Sequence, residues 1–241
     1  MKHLFLPLAF SLLLFTGCSK DAPEAAKTVL DGEYQAGATI ATAPIKMYTK
    51  DGEVNNPALI DRFLSRRSWA AGFFPRTDTP IPTTASFKII IRGNNQANLI
   101  TTSSGRSDTV KTDITAQRPD YAVLTGRDSL TVLSPASGMG RCEVLIGQME
   151  KEQPVKRCVP MSLATGYSRQ CKFRPVRLLK INAGQLFIPQ LSWLVQSGPL
   201  YNSCGYTASG SWNLFNAGIP GQMVAGDTVV VQERTIALVK K

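Results

Sequence analysis

Histidine is all but missing from this chain. The only one is His3, inside the N-terminal stretch MKHLFLPLAFSLLLFTG, which has the form of a cleavable leader. Lys2 supplies a short positive start. The apolar run from Leu4 to Phe15, broken only by Pro7 and Ser11, has the length of a signal-peptide core and falls short of the ~20 residues that a spanning helix needs. Once the leader is removed, no histidine remains. That excludes a Ser-His-Asp triad, a Cys-His dyad and any histidine-ligated catalytic zinc or iron within the chain. It also leaves no ordinary side chain that titrates near neutrality.

Other chemistry is missing as well. No CxxC pair is present to form a zinc knuckle, and no SxxK marks a serine–lysine nucleophile. The glycine-rich stretches GYTASGS and NAGIPGQ lack the lysine and the following helix of a phosphate loop. No cofactor and no metal are expected, and no catalytic residue is assigned. The formal net charge is +10, but the basic residues are scattered, the densest groups being Arg66-Arg67 and the stretch Arg169 to Lys180. In an exported chain such a surface meets anionic lipid and wall polymer, and no nucleic-acid partner is expected.

The leader ends in Thr16-Gly17-Cys18, two small residues and a cysteine. This resembles the lipobox of bacterial lipoproteins, with Phe15 standing where the family usually has leucine. The resemblance implies cleavage before Cys18, acylation of that cysteine and attachment to a membrane through lipid. Ser19, in place of an aspartate, implies the outer membrane. Lys20-Asp21-Ala22-Pro23-Glu24 partly matches the acidic stretch that sends some lipoproteins to the cell surface. The organisation read here is a signal peptide over 1–17, a lipidated N-terminus and tether over 18–36, and a single β-rich domain over 37–241.

Four cysteines remain: Cys142, Cys158, Cys171 and Cys204. An even number in an exported chain reads as two disulfides, and four cysteines allow three pairings. The near-mirror flanks RCEV and VKRCV favour two antiparallel strands joined by Cys142–Cys158, which leaves Cys171–Cys204. Closing that first loop contributes about 3 kcal/mol by the loop-entropy relation.

The fold class is mainly β. Asn56-Pro57 opens the one convincing helix, near 57–67, with Asn56 as cap and with Leu59, Ile60, Phe63 and Leu64 on one face. Residues 72–84 read as a loop. From Ala85 the period becomes two: FKIIIRG, QANLITT, SDTVKTDI, YAVLTG and SLTVLS are strands separated by turn residues. Strands recur around each cysteine, at PVRLLKIN, at QLFIPQLSWLVQ and at DTVVVQERTIALVKK. This spacing argues an antiparallel meander in a barrel or a sandwich. A lipid tether, a short helix and this meander together resemble the lipocalin-like lipoproteins, which implies ligand binding in a barrel. The glycine–tryptophan signature of that family is absent, since Asp31-Gly32-Glu33-Tyr34 offers Gly32 alone.

Two function classes follow. The first is a non-catalytic binding or structural module of the envelope, with a glycan, a small apolar ligand or an envelope protein as partner. Its candidate binding residues are the aromatics of the last quarter, Trp193, Tyr201, Tyr206 and Trp212, set among Gly, Asn and Ser. Such rings also serve as core, Trp193 within the sheet and Trp212 as a plug at a barrel end. The alternative is a carbohydrate-active hydrolase with a carboxylate pair. Glu150 and Glu152 share a face if their segment is extended, although MEKEQP reads first as a polar hairpin tip. Three strings, Asp108-Thr109-Val110, Asp128-Ser129-Leu130 and Asp227-Thr228-Val229, resemble the O-glycan acceptor of exported proteins in some Gram-negative lineages.

Overall fold

The computed structural model describes residues 30–66, 73, 79–81, 85–135, 141–163, 166–198 and 204–241. The chain opens with β1 (Gly32–Thr42), β2 (Lys46–Thr49), β3 (Gly52–Val54), helix α1 (Pro57–Ser65) and the short β4 (Thr79–Pro80). Next come β5 (Ala85–Arg92), β6 (Gln96–Ser103), β7 (Arg106–Gln117), β8 (Tyr121–Gly126), β9 (Leu130–Pro135) and helix α2 (Arg141–Ile146). The remainder is β10 (Arg157–Leu163), β11 (Gly166–Phe173), β12 (Val176–Asn182), β13 (Gln185–Ser197), β14 (Cys204–Ser211) and β15 (Thr228–Lys240).

Eight strands close a barrel. β1, β5, β6, β7, β8, β12, β13 and β15 each pair antiparallel with the next, and β15 returns to β1. Their order around the barrel is their order along the chain, an up-and-down meander with excursions between strands. Of the two architectures open from the sequence, the barrel is the one formed.

The alternation of each strand fills it. In YAVLTG, Ala122 and Leu124 enter the interior while Tyr121 and Val123 face outward. Ile89, Ile91, Leu99, Leu179, Ile181, Leu186, Ile188, Ile236 and Leu238 join them inside, all buried. An eight-stranded barrel is just wide enough for side chains to occupy its interior, and these branched aliphatics do so. Between β12 and β13, Ala183 (φ 47°) and Gly184 (φ 78°) make the two-residue turn that matches strand twist. β1 already begins at Gly32, and Tyr34 is buried with its hydroxyl donating to the Leu30 carbonyl at 2.9 Å. The tether read over 18–36 therefore stops short of residue 36.

β13 and β15 overrun the barrel. Their outer halves pair with each other, with β14 beyond β13, and with β2 and then β3 beyond β15. One face of this extension, through Leu191, Trp193, Val195, Val229 and Val231, packs on Cys142, Leu145 and Met149. The other, through Leu194 and Val230, packs on Met47 and Ile60 of α1. α1 is capped as its sequence requires, Asn56 Oδ1 accepting from the amides of Ala58 at 3.0 Å and Leu59 at 3.3 Å. It stops at Ser65, and Leu59 is exposed while Ile60 is buried. Among the described residues no helix is long and apolar enough to cross a membrane.

Two expectations fail here. β9 does not continue the meander: β12 takes the place beside β8, and β9 forms a separate three-stranded sheet in the order β10-β11-β9. β12 offers Leu179 and Ile181 to the interior at period two, whereas β9 carries Leu130, Val132 and Leu133 on both faces, all exposed. The disulfide pairing also differs. The bonds are Cys142–Cys204 and Cys158–Cys171. RCEV is the helix α2, so the mirror flanks never become two strands. Cys158 instead lies directly across from Cys171 in the β10–β11 hairpin. Cys142–Cys204 ties α2 to β14, closing the longer loop, a separation of 62 residues.

Candidate functional site

Between the outer wall of the barrel and the three-stranded sheet runs a groove of about 620 Å³, within the range of small-molecule sites. Its construction follows from three local features. The outward residues of β8 and β12, Val123 and Val176, give it an apolar floor. A bulge in β7 between Ile114 and Ala116 turns Thr115 to the outside, where its hydroxyl meets that of Thr125 at 2.9 Å. The third feature is the segment between α2 and β10, which supplies Glu152, Gln153 and Val155.

That segment is fastened to the barrel. Tyr121 donates its phenol to Glu152 Oε1 at 2.8 Å, and Asn213 Nδ2 donates to Glu150 Oε2 at 3.1 Å and to the Glu152 carbonyl at 2.8 Å. The Lys151 amide donates to the Leu214 carbonyl at 2.9 Å, and Glu150 forms an isolated bridge to Phe215. Burial, and then the bond to Glu152, hold the Tyr121 phenol above its ordinary range, against an opposing pull from Arg118. Glu150 and Glu152 are thus both occupied in fixing this segment, not in a hairpin tip.

The far wall is cationic. Arg157, Lys172 and Arg174 line it together with Phe173, and Lys156 lies 5.6 Å above the Phe173 ring. Arg174 is engaged, its Nε donating to the Gly126 carbonyl at 2.6 Å and its Nη2 lying 3.4 Å from Asp113, which also holds Arg127 at 2.8 Å. Arg157 and Lys172 differ. They face each other across the β10–β11 ladder, and among the described residues neither side chain has an ion-pair or hydrogen-bond partner. Like charges in that relation repel. An anion between them would turn the repulsion into two charge-assisted hydrogen bonds.

The sequence-derived site residues are dispersed. Cys18 and Tyr201 lie outside the described residues. Trp193 is buried in the cluster with α2. Tyr206 is exposed on β14. Trp212 closes one end of the barrel, edge-on to Phe87 at 5.0 Å, its Nε1 donating to the Leu178 carbonyl at 2.6 Å and its ring 5.3 Å from the Arg177 guanidinium. Burial lowers the pKa of Arg177. Of the three acceptor-like strings, Asp227 is buried and Thr228 sits in the ladder between β13 and β2, whereas Ser129 is exposed at the rim of the groove. Sequence reasoning named none of Arg157, Lys172, Phe173 and Arg174 as site residues. The signal available was the basic density of Arg169 to Lys180, which contains Lys172 and Arg174.

Among the described residues no group of three or more His, Cys, Asp or Glu could hold a metal ion. No family model matches the chain, and comparison with curated proteins and with solved structures also returns no match.

Proposed function

We propose that this chain is an exported lipoprotein, anchored to the outer membrane through lipid on Cys18, whose barrel domain is a non-catalytic binding module for an anionic ligand. The observation that carries the binding reading is the Arg157–Lys172 pair, two cations without a partner among the described residues, over an apolar floor on the outside of a barrel whose own interior is occupied by side chains. With side chains occupying the barrel interior, this reading takes the ligand to the outer groove and not to the interior that the lipocalin-like resemblance implies. Catalysis has little support in the geometry: the carboxylates of Glu150 and Glu152 are taken up by Asn213 and Tyr121.

Each half of the reading has its own test. Cys18→Ser should abolish fatty-acid labelling and leave the uncleaved precursor; persistent labelling removes the anchor. For the groove, titration of the protein with an alkyl phosphate should give saturable binding that Arg157→Gln and Lys172→Gln each weaken about tenfold, the loss of one charge-assisted hydrogen bond. Equal affinity in the variants removes the groove.

A further inference from the structure

Exposed aliphatic side chains are concentrated beside this groove. Ten large hydrophobic residues are exposed among those described, and five of them, Leu130, Val132, Leu133, Val155 and Val159, belong to the three-stranded sheet or the approach to it. Val155 is 86% exposed, Leu133 62% and Val159 56%, values at which burial on something outside this chain is the physical alternative to standing in water.

The register sorts them. Arg157, Lys172 and Thr131 are directly opposite one another across β10, β11 and β9, so their side chains share a face. One row further along, Val159, Gln170 and Leu133 are likewise opposite and on that same face. A cationic row at the groove therefore adjoins an aliphatic row on the open sheet. Lys156 and Arg174 extend the positive side, while Glu152 is engaged by Tyr121.

We infer that this face docks on an anionic lipid surface, with the groove taking a phosphate headgroup between Arg157 and Lys172 while Leu133 and Val159 enter the acyl boundary. The inference rests on the anchored-module reading above. The chemistry of this face and the proposed anchor choose a bilayer over a protein partner. The face's apolar residues are aliphatic and its charges sit on long Lys and Arg stems, which reach the headgroup layer while their stems stay in apolar contact. The proposed anchor supplies proximity: Leu30 is twelve positions after Cys18, at most ~40 Å of chain, so the domain is confined to a layer next to the bilayer.

The test uses the full acylated protein reconstituted in vesicles whose acyl chains carry bromine, a short-range quencher of tryptophan. Leu133→Trp places the reporter on the docking face, and Val239→Trp, also at an exposed site, is the control. With phosphatidylglycerol the Leu133→Trp reporter should be quenched and the Val239→Trp reporter should not. With phosphatidylcholine both should stay bright. Adding Lys172→Gln should shift the docked-to-free ratio about fivefold toward free, as for one cation at an anionic surface. Salt near 1 M, where screening acts within ~3 Å, should do the same for all the cations together. Quenching that is equal for the two reporters, or equal in the two lipids, overturns the inference. If free inorganic phosphate at millimolar concentration abolishes the quenching difference, the site reads phosphate without the surface, and the docking is overturned. Alkyl phosphate binding in solution, tested separately above, stands or falls independently of this result.

Discussion

Arg157 stands directly opposite Lys172 on adjoining antiparallel strands, and the neighbouring Cys158 is bonded to Cys171 in the same register. The disulfide ties the two strands at the row next to this like-charged pair. Cross-strand like charges cost roughly 0.2 to 1 kcal/mol. Arg157→Gln should therefore raise stability toward denaturant by about that amount at low salt while weakening anion binding. A variant that loses both stability and binding would show that Arg157 has a structural role instead.

The two disulfides should separate in their effects. Replacing Cys158 and Cys171 together with serine removes a short-range link, about 3 kcal/mol by loop entropy for a separation of 13 residues. It should abolish groove binding while the far-ultraviolet signature of the barrel persists. Replacing Cys142 and Cys204 releases α2 from β14 and should cost more, about 4 kcal/mol. Peptide mapping without reduction checks the pairing directly.

Asp227 is a buried junction. Its side chain is fully buried, accepts from Ser197 Oγ at 2.5 Å and from the Val224 amide at 2.9 Å, and pairs with Arg141 Nε at 3.1 Å. Arg141 also donates to the Gln222 carbonyl. These contacts join α2, the end of β13 and the start of β15. Asp227→Asn should destabilise by about 2 to 3 kcal/mol, the scale of a hydrogen bond to a charged group, measured by denaturant unfolding. A change below half of that would mean the junction relaxes without it.

Alkaline pH should loosen the segment between α2 and β10 that lines the groove. Burial first, then the bond to Glu152, raise the folded-state pKa of Tyr121 above its ordinary 10.0. The folded state holds that proton more tightly than the unfolded chain does. The corresponding stability is whole below the unfolded value and is lost as pH rises through the folded one. Tyr34 and Tyr48 are raised by burial in the same direction. Unfolding free energy should fall on the alkaline side, and Tyr121→Phe should flatten part of that fall.

The barrel was legible because its determinant is local. Short runs of β-branched and apolar residues in FKIIIRG, YAVLTG and PVRLLKIN mark the strands, and the turn residues say where each strand ends. The Asn56 cap was legible for the same reason. Sheet membership was not. SLTVLS has strand composition, and only competition with β12 for the edge of β8 excludes it from the barrel. The disulfides misled because RCEV suits a strand by symmetry of letters, while its packing against Leu191 and Trp193 selects a helix. Arg157 and Lys172 are distant in sequence, and nothing but the β10–β11 register brings them together.

The most direct test of the account is where an anionic amphiphile binds. Backbone amide shifts of the protein titrated with an alkyl phosphate should move at Val155, Arg157, Lys172, Phe173 and Arg174, and stay still at Leu124, Leu179 and Ile188. Shifts confined to those three interior residues would place the ligand inside the barrel and contradict the outer groove.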